Sequence, residues 1–223
     1  MSRTLRAVLF DLDGTLLDTA PDMVAALNAL RLENHLAPLP YEQVRGAVSH
    51  GAAKLVLTGF PDAVGERFET LRARYLEIYA GALARGTRLF PGMEQVLDEL
   101  STRRLSAGIV TNKPAWLTEP LLQELNLRTR FVCVVSGDTV AERKPHPMPL
   151  LHAAQLAGVA AEECIYVGDA LRDVQAARAA HMPALIADYG YMLPDEDSST
   201  WGGDARLNQP TDLLRWLDAR GQA

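Results

Sequence analysis

Two cysteines, three lysines and the lack of any long apolar run set the first limits on this chain of 223 residues. Cys133 and Cys164 each lie in a short apolar, strand-like stretch, where a buried thiol is commoner than a metal ligand or a disulfide partner. This argues against a disulfide-stapled fold and suits a reducing cytosol. No run approaches the roughly 20 apolar residues of a membrane-spanning helix. The apolar stretch nearest the N-terminus, Ala7 to Phe10, is too short for a signal-peptide core, so a cytoplasmic protein is expected. An excess of positive charge is also missing. A formal net charge of -6 argues against a general nucleic-acid or anionic-membrane binder, because both need a basic surface. What remains is an ordinary globular composition, 48% hydrophobic and 22% charged, long enough for a well-buried core.

The most informative segment is Ala7-Val-Leu-Phe-Asp-Leu-Asp-Gly-Thr-Leu16. A short apolar run delivers Asp11 and Asp13 and then breaks at Gly14, as a strand ending in an acidic turn would. Strand geometry puts positions i and i+2 on one face. Asp11 and Asp13 are therefore expected to leave the strand together, into the crevice where open α/β sheets bind ligands. Beyond Thr19 the texture becomes helical: Pro21 can open a helix, and Met23, Val24, Leu27, Leu30 and Leu32 recur at helical spacing. Two further helical stretches, Tyr41 to Leu57 and Asp62 to Ala84, complete a block without strands. From Pro91 onward helices at Met93–Arg103, Ala115–Leu125, Met148–Ala157 and Leu171–Ala180 alternate with apolar strands at Ala107–Val110, Phe131–Val135, Cys164–Val167 and Ala184–Ala187. The reading is an α/β fold, a doubly wound parallel sheet of five strands with an inserted helical cap. Residues 1–18 and 88–223 form the core and 19–87 the cap. A polar stretch rich in Asp, Ser and Gly is read as a loop before a last helix, Thr211–Ala219.

Each strand end carries polar chemistry. Val110-Thr111-Asn112-Lys113 places a hydroxyl and an amide in the expected crevice, although a Thr-Asn pair after a strand also suits a helix cap. Arg143-Lys144-Pro145 sets one of the few lysines at a strand-to-helix junction, and a compact ammonium suits a single phosphate oxygen or carboxylate. In Gly168-Asp169-Ala170-Leu171-Arg172-Asp173, a helix beginning near Asp169 would stack Asp169 and Asp173 at its N-terminus. Asp11, Asp13, Asp169 and Asp173 together make an oxygen-rich site suited to a hard cation such as Mg²⁺.

In order and spacing, these four segments resemble the motifs of the haloacid dehalogenase superfamily. The helical insert behind the first motif resembles the small cap of its phosphoglycolate phosphatase-like branch. The resemblance implies Asp11 as nucleophile, Asp13 as general acid and base, Thr111 and Lys144 as phosphate ligands, and Asp169 as a Mg²⁺ ligand with Asp173 beside it. Ala170 departs from the Ser or Thr common in relatives. The residue types suit an aspartyl-phosphate mechanism that divides hydrolysis into two easier steps. Within the superfamily, true dehalogenases lack the second aspartate and the ATPases replace it with threonine, so Asp13 points to phosphomonoester hydrolysis or a phosphomutase.

The core would meet only the phosphate, so specificity is expected in the cap. There Arg45, Ser49, His50 and Gly51 form a polar turn, with Asn112 a further substrate contact in the core. The segments Asp188-Tyr-Gly-Tyr-Met192 and Trp201-Gly-Gly-Asp204 are similar to the N-acetylmuramate 6-phosphate phosphatases. That makes N-acetylmuramate 6-phosphate the expected substrate, with 2-phosphoglycolate the alternative. A phospho-accepting receiver domain is the competing non-enzymatic reading, and receivers lack both a second carboxylate two residues after the acceptor and a helical insert. Phosphonate hydrolysis would require Lys54, the only cap lysine, to form a Schiff base, whereas an exposed helix lysine explains it more simply. The expected partners are a small phosphorylated metabolite and no nucleic acid or membrane, in a monomer or homodimer.

Overall fold

A computed structural model describes residues 4–221. Its main sheet has six strands in two groups around β1 (Ala7–Phe10). To one side lie β4 (Ser106–Val110) and β5 (Cys133–Val135), and to the other β6 (Cys164–Gly168), β7 (Ala184–Ala187) and β8 (Ala205–Leu207). The order is β5-β4-β1-β6-β7-β8, and every pairing is parallel. The period of two along the strands explains why both faces are covered. Val8, Phe10, Ile109, Ile165, Val167 and Leu185 enter one apolar cluster, while Ala7, Leu9, Val110, Cys164, Tyr166 and Ile186 enter the other.

β8 falls inside the stretch expected to be a loop. It is three residues long at the sheet edge, and only Leu207 is buried, so hydrophobic patterning had little to register. The sheet therefore has six strands rather than five. Two further strands, β2 (Leu17–Asp18) and β3 (Arg88–Leu89), pair antiparallel as a two-residue ribbon. All of α1 (Ala20–Glu33), α2 (Tyr41–Arg45), α3 (Gly51–Gly59) and α4 (Gly65–Ala80) lie between them. The expected helix from Tyr41 to Leu57 is broken into α2, a 3-10 turn at Val48–His50, and α3, because Gly46 and Gly51 interrupt it and Gly51 takes a positive φ of 77°.

The remaining helices are α5 (Met93–Thr102), α6 (Ala115–Glu124), α7 (Met148–Ala157), α8 (Leu171–Ala179) and α9 (Asp212–Asp218). They flank the sheet in the expected alternation. Both cysteines are free and buried, and burial pushes their thiols up to about 11 for Cys133 and about 12 for Cys164, so they are packed as neutral groups. Among the described residues, no helix is long and apolar enough to cross a membrane.

Candidate active site

Asp11 and Thr111 are the first residues beyond β1 and β4, and each is still pinned by a ladder hydrogen bond. The Asp11 amide donates to Val167 O at 2.9 Å and the Thr111 amide to Val135 O at 2.9 Å. Asp11 is thereby fixed at the carboxyl end of the central strand, and its Oδ1 accepts from the Leu12 amide at 2.7 Å. The helix after β6 begins at Leu171, not at Asp169. Asp169 lies in the strand-to-helix turn, and Asp173 folds back from the first turn to accept the Ala170 amide at 3.0 Å. Ala170 is thus the N-cap without a capping side chain, and Asp173 satisfies the amide that its position leaves open.

Asp11, Asp169 and Asp173 offer oxygens that all lie within 4.8 Å of one another, each from a buried side chain. Lys144 compensates part of that charge: its ammonium is 3.0 Å from Asp11 Oδ1 and 2.8 Å from Asp173 Oδ1, and it donates to Tyr166 OH at 2.6 Å. Arg172 Nη2 lies 3.8 Å from the other Asp11 oxygen. These cations do not balance the site. Burial, with Asp11 and Asp173 nearby, pushes the Asp169 carboxyl up to about 8, and burial also raises Asp11 despite Lys144. Asp169 Oδ1 is buried without a hydrogen-bond partner. An orphaned carboxylate oxygen in a cluster of three buried carboxylates makes a donor set of hard oxygens that fits Mg²⁺.

Asp13 does not join this cluster. β1 ends at Phe10, so Asp11 and Asp13 no longer share a strand face, and the Asp13 carboxylate turns to the Lys113 ammonium at 3.0 Å. Lys113 also donates to the hydroxyl of Tyr79, on α4, at 2.9 Å. Burial alone would lower the Lys113 ammonium, but Asp13 and Tyr79 outweigh it and hold it above its usual range. Lys113 is a site residue that the sequence reading passed over. Its signal was the same scarcity that drew attention to Lys144.

A cleft of about 590 Å³ runs from Asp11, Asp13 and Thr111 outward between the insert and the sheet, past His50, Arg72, Trp116 and Arg143. His50 lines it, as expected, and is 3.3 Å from Glu196. Three other expected contacts are turned elsewhere. Arg45 lies outside the lining: its guanidinium donates to Gly190 O at 3.2 Å and stacks over Tyr191 at 4.7 Å. The Asn112 amide is engaged with both backbone groups of Lys144, at 2.9 and 3.1 Å, so it fixes the lysine loop even though it borders the cleft. Ser49 also lines the cleft, but its hydroxyl donates to Asp169 Oδ2 at 2.5 Å. Tyr191, in the segment similar to the N-acetylmuramate 6-phosphate phosphatases, is buried and bonds Asp18 and the Ala20 amide beside the ribbon. Lys54 is exposed on α3, away from the cleft lining.

Comparison with known proteins agrees with this geometry. Residues 8–187 match the haloacid dehalogenase-like hydrolase family. A phosphoglycolate phosphatase of Xanthomonas campestris pv. campestris is 45% identical over 208 residues, 93% of this chain and 94% of the relative. An N-acetylmuramic acid 6-phosphate phosphatase of Pseudomonas putida is 38% identical over 216 residues, 96% of this chain and 97% of the relative. A crystal structure from Haemophilus somnus 129PT shares the fold, with a TM-score of 0.85 at 23% identity over 97% of this chain and 99% of that one. With acidic strand ends, a buried lysine and relatives that remove phosphate all in agreement, the chain belongs to the haloacid dehalogenase-like hydrolases and is a phosphatase.

Proposed function

We propose that this phosphatase hydrolyses N-acetylmuramate 6-phosphate, with Mg²⁺, through a phosphoryl group carried on Asp11. In the first step an Asp11 oxygen attacks phosphorus, the bond to the leaving oxygen breaks, and Asp13 gives that oxygen its proton. In the second, Asp13 takes a proton from water as the water oxygen attacks phosphorus, releasing Asp11 and inorganic phosphate. Lys144 and Thr111 stabilise charge on the transferring group, in a buried site where fixed cations and dipoles are worth more than in water. Held by Asp11, Asp169 and Asp173, Mg²⁺ would supply the positive charge that lets an anionic nucleophile and an anionic phosphate approach.

The observation that carries the substrate reading is the size and lining of the cleft. At about 590 Å³ it falls among sites that enclose a drug-sized ligand, roughly 300–1,000 Å³. Beyond the aspartates it offers a partly exposed indole at Trp116 and polar groups at His50, Arg72 and Arg143. A sugar ring with acetamido and lactyl groups can use such a wall. A two-carbon phosphoester leaves most of it empty, and binding energy from remote groups is what raises the rate at the reacting centre. The second reading, 2-phosphoglycolate, is favoured by the name of the 45% identical Xanthomonas relative.

Side-by-side kinetics test the choice. The expected result is a kcat/KM for N-acetylmuramate 6-phosphate at least about tenfold above that for 2-phosphoglycolate, equivalent to roughly 1.4 kcal/mol of transition-state preference. Equal or better use of 2-phosphoglycolate overturns the muramate assignment.

A further inference from the structure

Ser49 belongs to the helical insert, yet its hydroxyl ends on a carboxylate of the sheet, 120 residues further along the chain. It is buried in the 3-10 turn between α2 and α3, 8% exposed, and donates to Asp169 Oδ2 at 2.5 Å. The same oxygen accepts the Tyr191 amide at 2.9 Å. Both partners therefore hold Oδ2, while Oδ1 of the same carboxylate is buried and has none. The two oxygens are sorted: one is tied to the protein, and the other carries no protein hydrogen bond, on a carboxylate that clusters with Asp11 and Asp173.

Two more features show that this contact is built into the fold. Arg172 Nη2 donates to the Ser49 backbone carbonyl at 2.7 Å and also faces Asp11 at 3.8 Å, so a second tie joins the turn to the same acidic cluster. Gly14 makes room for the meeting. A Cβ at that position would lie 2.0 Å from Asp169 Oδ2 and 2.9 Å from Ser49 Oγ, and its φ of +83° is one that side chains resist. A serine that served only as a helix cap would need neither arrangement.

We infer that Ser49 is a positioning residue for the cation site: docking of the insert's turn onto the sheet pins Asp169 Oδ2 and so presents Oδ1 to a divalent cation. The inference rests on the reading of Asp169 as a metal ligand. Partners that orient a metal ligand typically contribute about 10–100-fold in affinity. Coupling of this kind is reciprocal, so an arrangement in which docking favours the cation is one in which the cation favours docking. The same residue then reports the state of the insert to the chemistry beneath it.

The test is direct Mn²⁺ binding by electron paramagnetic resonance, on the full chain, for wild type, Ser49→Ala, Ser49→Thr and Asp169→Asn. Thermal melts in EDTA verify that each is folded. Ser49→Ala is expected to weaken Mn²⁺ binding about tenfold or more, and Ser49→Thr, which keeps the hydroxyl, to recover most of it. Hydrogen exchange is read alongside: protection of the amides at residues 48–51 should rise with Mn²⁺ in wild type and not in Ser49→Ala. Unchanged Mn²⁺ affinity in folded Ser49→Ala, with binding lost in Asp169→Asn, overturns the role of Ser49 and leaves the metal reading intact. Wild-type binding that survives Asp169→Asn overturns the metal reading and the inference with it.

Discussion

The Lys144 ammonium stands 3.0 Å from Asp11 Oδ1, and neither side chain is more than 4% exposed. That pair is the electrostatic centre of the site, because Lys144 also meets Asp173 at 2.8 Å and so answers two buried carboxylates at once. Removing one partner of a buried ion pair costs about 3–5 kcal/mol, since the remaining charge is left uncompensated. Lys144→Met is accordingly expected to lose activity and to destabilise the EDTA-treated protein by about that amount in denaturant titration, with part of the loss restored by Mg²⁺. A stability unchanged within about 0.5 kcal/mol would contradict this picture of the site.

Lys113 predicts a different pattern. It holds Asp13 at 3.0 Å and is itself held by Tyr79 of the insert, so under the proposed mechanism its work is to aim the group that transfers the proton. Lys113→Met should lower kcat, by less than the about 10²–10⁴-fold that a missing acid or base costs, and Tyr79→Phe should lower it by a smaller factor. Steady-state kinetics check this. A rise in KM with kcat intact would show that Lys113 binds substrate instead of aiming Asp13.

The buried carboxylates give a pH dependence whose sign follows from burial. Asp169 in the folded protein titrates near 8 against an ordinary value of 3.8, so between those values the folded state keeps a proton that the unfolded chain has released. The contribution of Asp169 to stability is therefore full below the ordinary value and lost as pH rises through about 8. EDTA-treated protein is expected to melt at lower temperature as pH is raised from about 5 to 8, and the gain in Tm from Mg²⁺ to grow over the same window. Melts recorded with and without Mg²⁺ decide it, and a Mg²⁺ gain independent of pH would contradict it.

Gly14→Ala tests how tightly the first turn is built. Its added Cβ would lie 2.0 Å from Asp169 Oδ2, at a φ of +83°. Backbone strain alone is worth about 1–3 kcal/mol. The expected outcome is a loss of stability in that range together with loss of activity. Activity close to wild type would mean that Asp169 can move aside without cost.

Much of this arrangement was readable along the chain because it sits at strand ends. Asp11, Thr111 and Asp169 each come at the end of a short apolar run and Lys144 precedes a proline-marked helix start, all local signals, and all five strands expected from patterning lie within two residues of the observed bounds. What was not readable depends on chain crossings. Ser49 meets Asp169 across 120 residues and Lys113 meets Tyr79 across 34, and no periodicity in either segment marks the encounter. Arg45 looked like a substrate cation because it is a charged residue in a polar turn, but the turn's direction sends it to Gly190 and Tyr191. β8 and the β2–β3 ribbon are too short for a pattern to exist at all.

The central claim is that Asp11 carries the phosphoryl group, and acid-quenched mass spectrometry tests it most directly. Asp13→Asn protein is mixed with p-nitrophenyl phosphate and Mg²⁺, stopped in acid and digested. That ester's leaving group needs no acid, so the first step should proceed and the second should stall for want of a base. The account predicts a phosphoryl group on the peptide containing Asp11, and none when Asp11→Asn is added. A phosphoryl group on any other residue, or turnover that persists in Asp11→Asn alone, would contradict it.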